Sequence, residues 1–201
     1  LNNMGSALSH RGPDDNGIWH DKESGIGLAH SRLAVIDLSP AGHQPMSSPS
    51  SRFVIAFNGE IYNHLNIRAA LEASGRSIAW KGHSDTETLC AAFDIWGVEK
   101  TLKKCVGMFA LAVWDQREGN LILARDRLGE KPLYYGWQGN TFLFGSELKA
   151  LKCHPDFENK INRGAISLLL RHNCIPAPHS IYEGICKLGP GTILSVTNDP
   201  H

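Results

Sequence analysis

Long apolar runs without polar alternation are the feature of this sequence that most restricts its fold. The runs "FVIAF" at 53–57 and "FALAVW" at 109–114 are uninterrupted, and "LILA" at 121–124 follows the second one closely. A strand with one face in water alternates apolar and polar residues, whereas a strand covered on both faces can be apolar throughout. The sequence therefore predicts two stacked sheets enclosed between layers of helices.

Turn signals between the apolar runs predict antiparallel pairing. The segments 106–115 and 121–126 flank "QREGN", and the segments 132–137 and 141–146 flank "QGN". Each pair is predicted to form a β-hairpin. Further strands are predicted near Gly25–Arg32, over 53–57 and over 191–196, with a Pro-, Ser- and Gly-rich loop from 38 to 52. Hairpins accompanied by separate helices favour an α+β class of fold.

Helical periodicity predicts four helices, over residues 63–74, 85–96, 147–152 and 163–172. In the first, the apolar stripe is expected to comprise Ile61, Leu65, Ala69 and Ala73. The second helix is predicted to begin at a capping box, in which Ser84 and Glu87 satisfy each other's backbone donors. Gly97 is expected to end it.

Charge and cysteine content exclude several classes of function. Twenty basic residues balance 20 acidic ones, so no basic surface for nucleic acid or an anionic membrane is expected. No apolar run approaches the roughly 20 residues that span a bilayer. Five widely spaced cysteines without a CxxC pair predict reduced thiols in a cytoplasmic protein, with no metal site.

The sequence Asn58-Gly59-Glu60 ends the apolar run at 53–57 and raises two alternatives. Asn-Gly is the strongest short signal for a hairpin turn, although a helical pattern rather than a partner strand follows it. Alternatively, the Asn58 amide and the Gly59 N–H are two donors that converge on one point as an oxyanion hole.

Two further residues could bind a charged ligand. Asp85, in the first turn of a helix, is favoured by the helix dipole and is expected to stay ionised, so that it could hold an ammonium group. Taken alone, the residue is better explained by helix capping, because acids are common at this position for stability. Arg32 lies in an apolar strand and needs a partner, either a protein acid or a ligand carboxylate. Together with Asn58-Gly59 these side chains would suit an α-amino acid with an acyl group at its far end.

Seven motifs in the chain resemble those of class II glutamine amidotransferases, in the same order. They are "LSHRGPDDNGIW", "GLAHSRLAVIDLSPAGHQPM", "AFNGEIYNHLNIRAAL", "HSDTETL", "VGMFALAVWD", "LILARDRLGEKPLYY" and "FGSELKAL". They are particularly similar to the glutaminase half of glutamine-hydrolysing asparagine synthetases. The resemblance covers nearly the whole chain and implies an N-terminal-nucleophile fold, a four-layer αββα sandwich.

The resemblance also implies roles for individual residues. Arg32 would bind the α-carboxylate of glutamine and Asp85 its α-ammonium. Asn58 and Gly59 would form the oxyanion hole, and Glu60 would line the same pocket. The backbone at Leu33 and Val35 would add contacts, and residues 10–14 would support the start of the chain.

One departure from the family pattern concerns the nucleophile, which is a cysteine at the mature N-terminus in that family. This chain begins with Leu1, and its five cysteines are expected to be structural. Residues 1–201 are therefore interpreted as a glutaminase domain without its first strand and nucleophile. Alternatively, the chain is a non-catalytic interaction module with the same fold.

The family resemblance further implies a C-terminal synthetase domain, which this chain does not contain. That domain would use ATP and Mg²⁺ to activate a carboxylate, which ammonia from glutamine would then attack. The glutaminase domain itself is expected to need no cofactor. Its expected partners are L-glutamine and the synthetase domain, and the resemblance allows a homodimer.

Overall fold

The computed structural model describes residues 1–197. The helices are α1 (Asn2–Ser6), α2 (His64–Glu72), α3 (Asp85–Trp96), α4 (Val98–Lys104), α5 (Leu148–Leu151) and α6 (Arg163–His172). The strands are β1 (Asp15–Asp21), β2 (Ile26–Arg32), β3 (Met46–Ser47), β4 (Phe53–Ile61), β5 (Gly107–Asp115), β6 (Asn120–Arg125), β7 (Tyr134–Gln138), β8 (Thr141–Gly145), β9 (Ile185–Lys187) and β10 (Ile193–Thr197).

The strands form two layers. A five-stranded antiparallel sheet, in the order β10-β6-β5-β4-β3, makes one layer. The second layer consists of the hairpin β1-β2 and the three-stranded sheet β8-β7-β9. Leu28 of β2 and Leu133 pack against Val54, Ala112 and other residues of the five-stranded sheet, so an apolar core fills the space between the layers.

Helices cover both outer faces. Phe93 and Leu89 of α3 are buried against Phe53 and Ile55, on the face of the five-stranded sheet that points away from the second layer. On the opposite side, Leu151 of α5 packs against Leu143 of β8. The predicted α+β sandwich of two sheets between helices is confirmed. Its cause is the apolar composition of β4 and β5, whose two faces enter different cores.

Strand β4 is longer than predicted, and the hairpin-turn alternative for Asn58-Gly59 is wrong. Every residue of β4 pairs with β5, including Asn58 with Ala110 and Gly59 with Phe109. A Cβ on Gly59 would lie 2.2 Å from the carbonyl oxygen of Met108. The glycine is thus needed for the close approach of the two strands, and nine consecutive cross-strand pairs override the local turn preference.

Two details of the predicted helices also differ. In α2, Leu65 is 65% exposed, and the buried residues are Ile67 and Leu71; the predicted stripe was therefore wrong. At the start of α3, Ser84 Oγ accepts a hydrogen bond from the Glu87 N–H, as expected for a cap. The Glu87 carboxylate, however, accepts from the backbone N–H groups of residues 81 and 82 instead of returning to Ser84.

Candidate active site

A cavity of about 860 Å³ lies between the two layers of strands. Residues of β2 and β8 form two of its walls, and residues of β4 and β5 belong to the five-stranded sheet on its other side. Its lining includes all seven predicted site residues, Arg32, Leu33, Val35, Asn58, Gly59, Glu60 and Asp85. The sequence-distant groups that were expected to converge therefore share one cavity.

The direction of the β4 backbone groups follows from its pairing. The Tyr62 N–H donates to the Val106 carbonyl at 2.8 Å, immediately beyond the paired region. In an antiparallel ladder, alternate residues point their backbone groups at the same neighbour. The even-numbered residues of β4 therefore face β5, and Phe57, Gly59 and Ile61 face the opposite edge.

Side chains occupy that opposite edge on both sides of Gly59. The Phe57 N–H donates to Gln44 Oε1 at 2.7 Å, and the Ile61 N–H donates to Asp85 Oδ2 at 2.9 Å. The Gly59 N–H lies between these two bonded positions. It points in the same direction and is the backbone donor that the predicted oxyanion hole requires.

Asn58 supplies the second donor of that predicted hole. Val54 and Ala56 face the second layer, and the alternation of β4 places the Asn58 side chain on the same face. Its Nδ2 atom is buried and has no hydrogen-bond partner. A buried polar group without a partner is costly, so such groups in a native structure call for a ligand or a functional reason.

His30 is a site residue that the sequence analysis missed. Its Nε2 lies 2.9 Å from the carbonyl oxygen of Phe57, whereas its Nδ1 is buried without a partner. Burial lowers the pKa of His30 to about 4; the contact with Phe57 opposes this shift, and the nearby Arg32 charge adds to it. The period-two spacing of Leu28, His30 and Arg32 is the signal that could have placed this histidine on the inner face of β2.

Asp85 is 5% exposed and accepts hydrogen bonds from the N–H groups of Ile61 and Thr86. Burial raises its pKa, and these backbone bonds only partly oppose the shift. The helix terminus alone favours the ionised form and so a low pKa. The pKa is raised instead, because the loss of water around the buried carboxylate outweighs the helix dipole. A cationic ligand group would relieve that cost.

Arg32 is 9% exposed, and its guanidinium donates to the backbone carbonyls of Asp37 and Ser39. A Cβ on Gly42 would overlap the guanidinium, so the chain passes close to it. Within residues 1–197, Arg32 therefore bonds backbone carbonyl groups and does not pair with a protein acid, which was one of its two predicted partners. Two of its five N–H donors are used in these contacts, and the others can bind a carboxylate.

The remaining predicted residues lie nearer the surface. Leu33 and Val35 are 60% and 66% exposed, and Glu60 is half-buried. The Ala34 N–H donates to Asp14 Oδ2 at 2.8 Å, which ties the loop after β2 to the "HRGPD" segment. That segment supports the loop beside Arg32 and is linked to α5 by the Arg11–Glu147 ion pair.

None of the five cysteines lies in the lining of this cavity. Cys90 and Cys105 are buried, and burial raises the pKa of both thiols, that of Cys105 to about 12, so neither is a thiolate near neutral pH. Residues 1–197 contain no group of three or more His, Cys, Asp or Glu side chains placed to hold a metal ion. No helix in the same range is long and apolar enough to cross a membrane.

Comparison with known proteins finds a family match over the whole chain. A family model described as "Glutamine amidotransferase domain" matches residues 1–201. The chain is 37% identical to a protein of Methanocaldococcus jannaschii named putative asparagine synthetase [glutamine-hydrolyzing] 2, over 94% of this chain and 39% of that protein. It is also 37% identical to asparagine synthetase [glutamine-hydrolyzing] 3 of Bacillus subtilis, over 99% of this chain and 32% of that protein.

The chain thus spans between about a third and two fifths of the length of these relatives. Among solved structures, glutamine phosphoribosylpyrophosphate amidotransferase from B. subtilis superposes with a TM-score of 0.60 at 22% identity. The match covers 75% of this chain and 40% of the other. At that identity the likeness concerns the fold alone, and it is consistent with the predicted N-terminal-nucleophile type of sandwich.

Proposed function

We propose that this chain, which belongs to the glutamine amidotransferase domain family, forms the glutamine site of a longer protein that hydrolyses the side-chain amide of L-glutamine to glutamate and ammonia, and that the chain alone is inactive. The observation that carries the proposal is the buried, unpartnered Asn58 Nδ2 in a cavity that also contains Arg32 and Asp85. These three side chains offer a donor, a cation and an anion, the complement of an amide carbonyl, an α-carboxylate and an α-ammonium.

Each group would have a distinct role in this reaction. Arg32 would hold the α-carboxylate with its remaining donors, and Asp85 would hold the α-ammonium. Asn58 Nδ2 and the Gly59 N–H would stabilise the oxyanion of each tetrahedral intermediate. Glu60 and the backbone at Leu33 and Val35 would orient the substrate at the mouth of the cavity.

The nucleophile would be a cysteine on a segment that precedes Leu1. Within residues 1–197, β2 pairs only with β1 and β8 pairs only with β7, and both strands line the cavity. An extended segment lying between them would pair with both edges and join the second layer into one sheet. Its thiol would attack the amide carbon, expel ammonia and leave a thioester that water hydrolyses.

In the whole protein the ammonia would be passed to a synthetase domain. The relatives named as glutamine-hydrolysing asparagine synthetases are much longer than this chain, which supports a further domain. That domain would use ATP and Mg²⁺ to activate the accepting carboxylate. The five free thiols suit a cytoplasmic enzyme.

The decisive experiment uses the full-length protein. Its mature N-terminus is sequenced, and glutamate release is measured before and after treatment with a thiol-alkylating glutamine analogue. We expect an N-terminal cysteine, glutaminase activity and complete inactivation at one modified residue. Absence of an upstream cysteine together with absence of glutamate release would identify the chain as the non-catalytic module instead.

A further inference from the structure

His30 and Asn58 line the same cavity, and each carries a buried polar atom without a hydrogen-bond partner. A carbonyl oxygen can only accept, so the 2.9 Å contact with Phe57 assigns the ring hydrogen to Nε2 of His30. In the neutral ring Nδ1 is then a lone-pair acceptor, and it is buried without a partner. Asn58, the residue that follows Phe57, carries the buried donor Nδ2, which also has no partner.

We propose that His30 and Asn58 together recognise the primary amide of the substrate, with His30 Nδ1 accepting from the amide NH₂ and Asn58 Nδ2 donating to the amide carbonyl. This inference rests on the proposed function and adds a specificity residue to it. A primary amide is the acyl group that matches the pair, because it carries both a carbonyl acceptor and N–H donors.

The pair also explains how the site would discriminate between substrate and product. A glutamate carboxylate offers acceptors only, so it would leave His30 Nδ1 without a partner and place negative charge beside a lone pair. Sites built to hydrogen-bond a substrate N–H reject analogues that lack it, because the buried protein group is then left unpaired. The product would therefore leave more readily than the substrate.

The surroundings of His30 keep the ring in the required state. Leu28 and Arg32 lie on the same face of β2, and Arg32 is the cation with the largest effect on the pKa of the ring. Asp15 and His43 are the other charged or titratable groups that act on the ring. Burial and the Arg32 charge both favour the neutral imidazole, in which Nδ1 can accept.

A substrate-and-variant cycle on the full-length protein tests the proposal. The substrates are glutamine and glutamate γ-methyl ester, which keeps the carbonyl but has no N–H donor. In His30→Gln the side-chain NH₂ can replace Nε2 as a donor, but the Nδ1 acceptor is lost. In His30→Asn the side-chain oxygen lies near the Nδ1 position and can replace it as an acceptor. The exposed His172→Gln, on α6, makes the same chemical change away from the cavity and serves as the control.

The measured quantity is the ratio of kcat/KM for the amide to kcat/KM for the ester, in which intrinsic reactivity cancels between variants. We expect this ratio to fall about tenfold in His30→Gln, as for loss of one buried hydrogen bond, and to be largely retained in His30→Asn. An unchanged ratio in folded His30→Gln would overturn the inference. Absence of glutamine hydrolysis in the wild type would instead overturn the proposed function.

A second measurement on the wild-type imidazole covers the case in which His30→Gln does not fold. The ring of His30 is labelled with ¹⁵N in full-length protein whose nucleophile is replaced by alanine. Binding of glutamine should shift the Nδ1 resonance in the direction of an accepted hydrogen bond, and binding of the ester should not. Equal shifts for the two ligands would contradict the proposal.

Discussion

The Ile61 N–H donates to Asp85 Oδ2 at 2.9 Å, which joins the first turn of α3 to the edge of β4. Asp85 is thereby fixed two residues along the strand from Gly59, whose N–H points toward the same edge. Because a buried backbone bond sets the position of the carboxylate, the proposed binding group and the proposed oxyanion donor share one rigid support.

Replacing Asp85 separates binding from stability. Asp85→Asn keeps an oxygen that can accept from Ile61 but loses the charge that would pair with the substrate ammonium. We expect KM for glutamine to rise about tenfold or more in the full-length enzyme. The single amide oxygen of Asn cannot accept from both Ile61 and Thr86, so one backbone bond is lost, whereas removal of the buried charge that raises the Asp85 pKa restores stability. Because these effects oppose each other, we expect the free energy of unfolding at pH 7 to change by no more than about 1 kcal/mol.

Glu99→Gln is the control for that change. Glu99 is an exposed acid in the first turn of α4, and its replacement should change neither KM for glutamine nor stability. Kinetics for Asp85→Asn that match those of wild type would remove Asp85 from the substrate site.

Two asparagines near the end of β4 should show opposite behaviour. Asn58→Ala deletes a donor that has no partner in the protein, so we expect turnover to fall roughly 10²–10³-fold without loss of thermal stability. Asn63 instead bonds the Lys104 carbonyl and the Val106 N–H, so Asn63→Ala should lower stability by about 1 kcal/mol and leave turnover unchanged. Calorimetry and glutaminase assays measure the two effects; an Asn58→Ala change confined to KM would assign Asn58 to substrate positioning.

Gly59→Ala tests the close approach of β4 and β5. The added Cβ would lie 2.2 Å from the Met108 carbonyl oxygen and 2.7 Å from the Phe109 Cα, so the strands must separate. We expect a loss of about 1–3 kcal/mol in the free energy of unfolding, measured from urea denaturation. Gly5→Ala, in helix α1, is the control. Its added Cβ would lie 3.7 Å from Ala29 Cβ, an ordinary contact, so this variant should gain a little stability. Equal urea midpoints for the two variants would show that the strands do not constrain Gly59.

Glu147 gives the domain a defined acid sensitivity. Burial alone would raise its pKa, but bonds from Arg11, Lys149 and His10 outweigh burial and lower the pKa from 4.5 to about 2. A depressed carboxyl pKa adds stability above pH 4.5 that is lost as the pH falls toward 2. Glu147→Gln should therefore be less stable than wild type at pH 7, and the difference should shrink through that window.

Denaturant midpoints measured from pH 7 to pH 2 provide the comparison. Glu158→Gln, which breaks an exposed ion pair with Lys160, should differ little from wild type at any of these pH values. A Glu147→Gln deficit that persists unchanged at pH 2 would show that the carboxylate charge is not its source.

Much of the fold was predictable because its signals are local. The apolar runs of β4 and β5 indicated sheets covered on both faces, and α6 spans the predicted residues 163–172. Strand β1 was missed because its sequence, "DNGIWHD", is mainly polar and has only one buried residue, Gly17. The end of β4 was misplaced because pairing with β5, whose partner residues lie 46 to 62 positions further along the chain, outweighs the turn preference of Asn-Gly.

The site was predictable where residue type carried the information. A guanidinium in an apolar strand and a carboxylate at a helix start both suggested charged ligands, and Arg32 and Asp85 do line one cavity. His30 and Gln44 were missed because their importance lies in which backbone atoms they reach on β4. The spacing within β2 could place His30 on an inner face, but which atom of β4 each side chain reaches depends on tertiary packing.

Placing both proposed oxyanion donors on an interior strand of the five-stranded sheet would tie catalytic competence to the integrity of that sheet. A site carried by a mobile loop can melt before its scaffold does, leaving a folded but inert protein on gentle heating. Here nine pairs with β5 hold the backbone that carries both groups, so that backbone should persist until the two strands separate. Thermal inactivation and global unfolding of the domain should consequently coincide as a single transition.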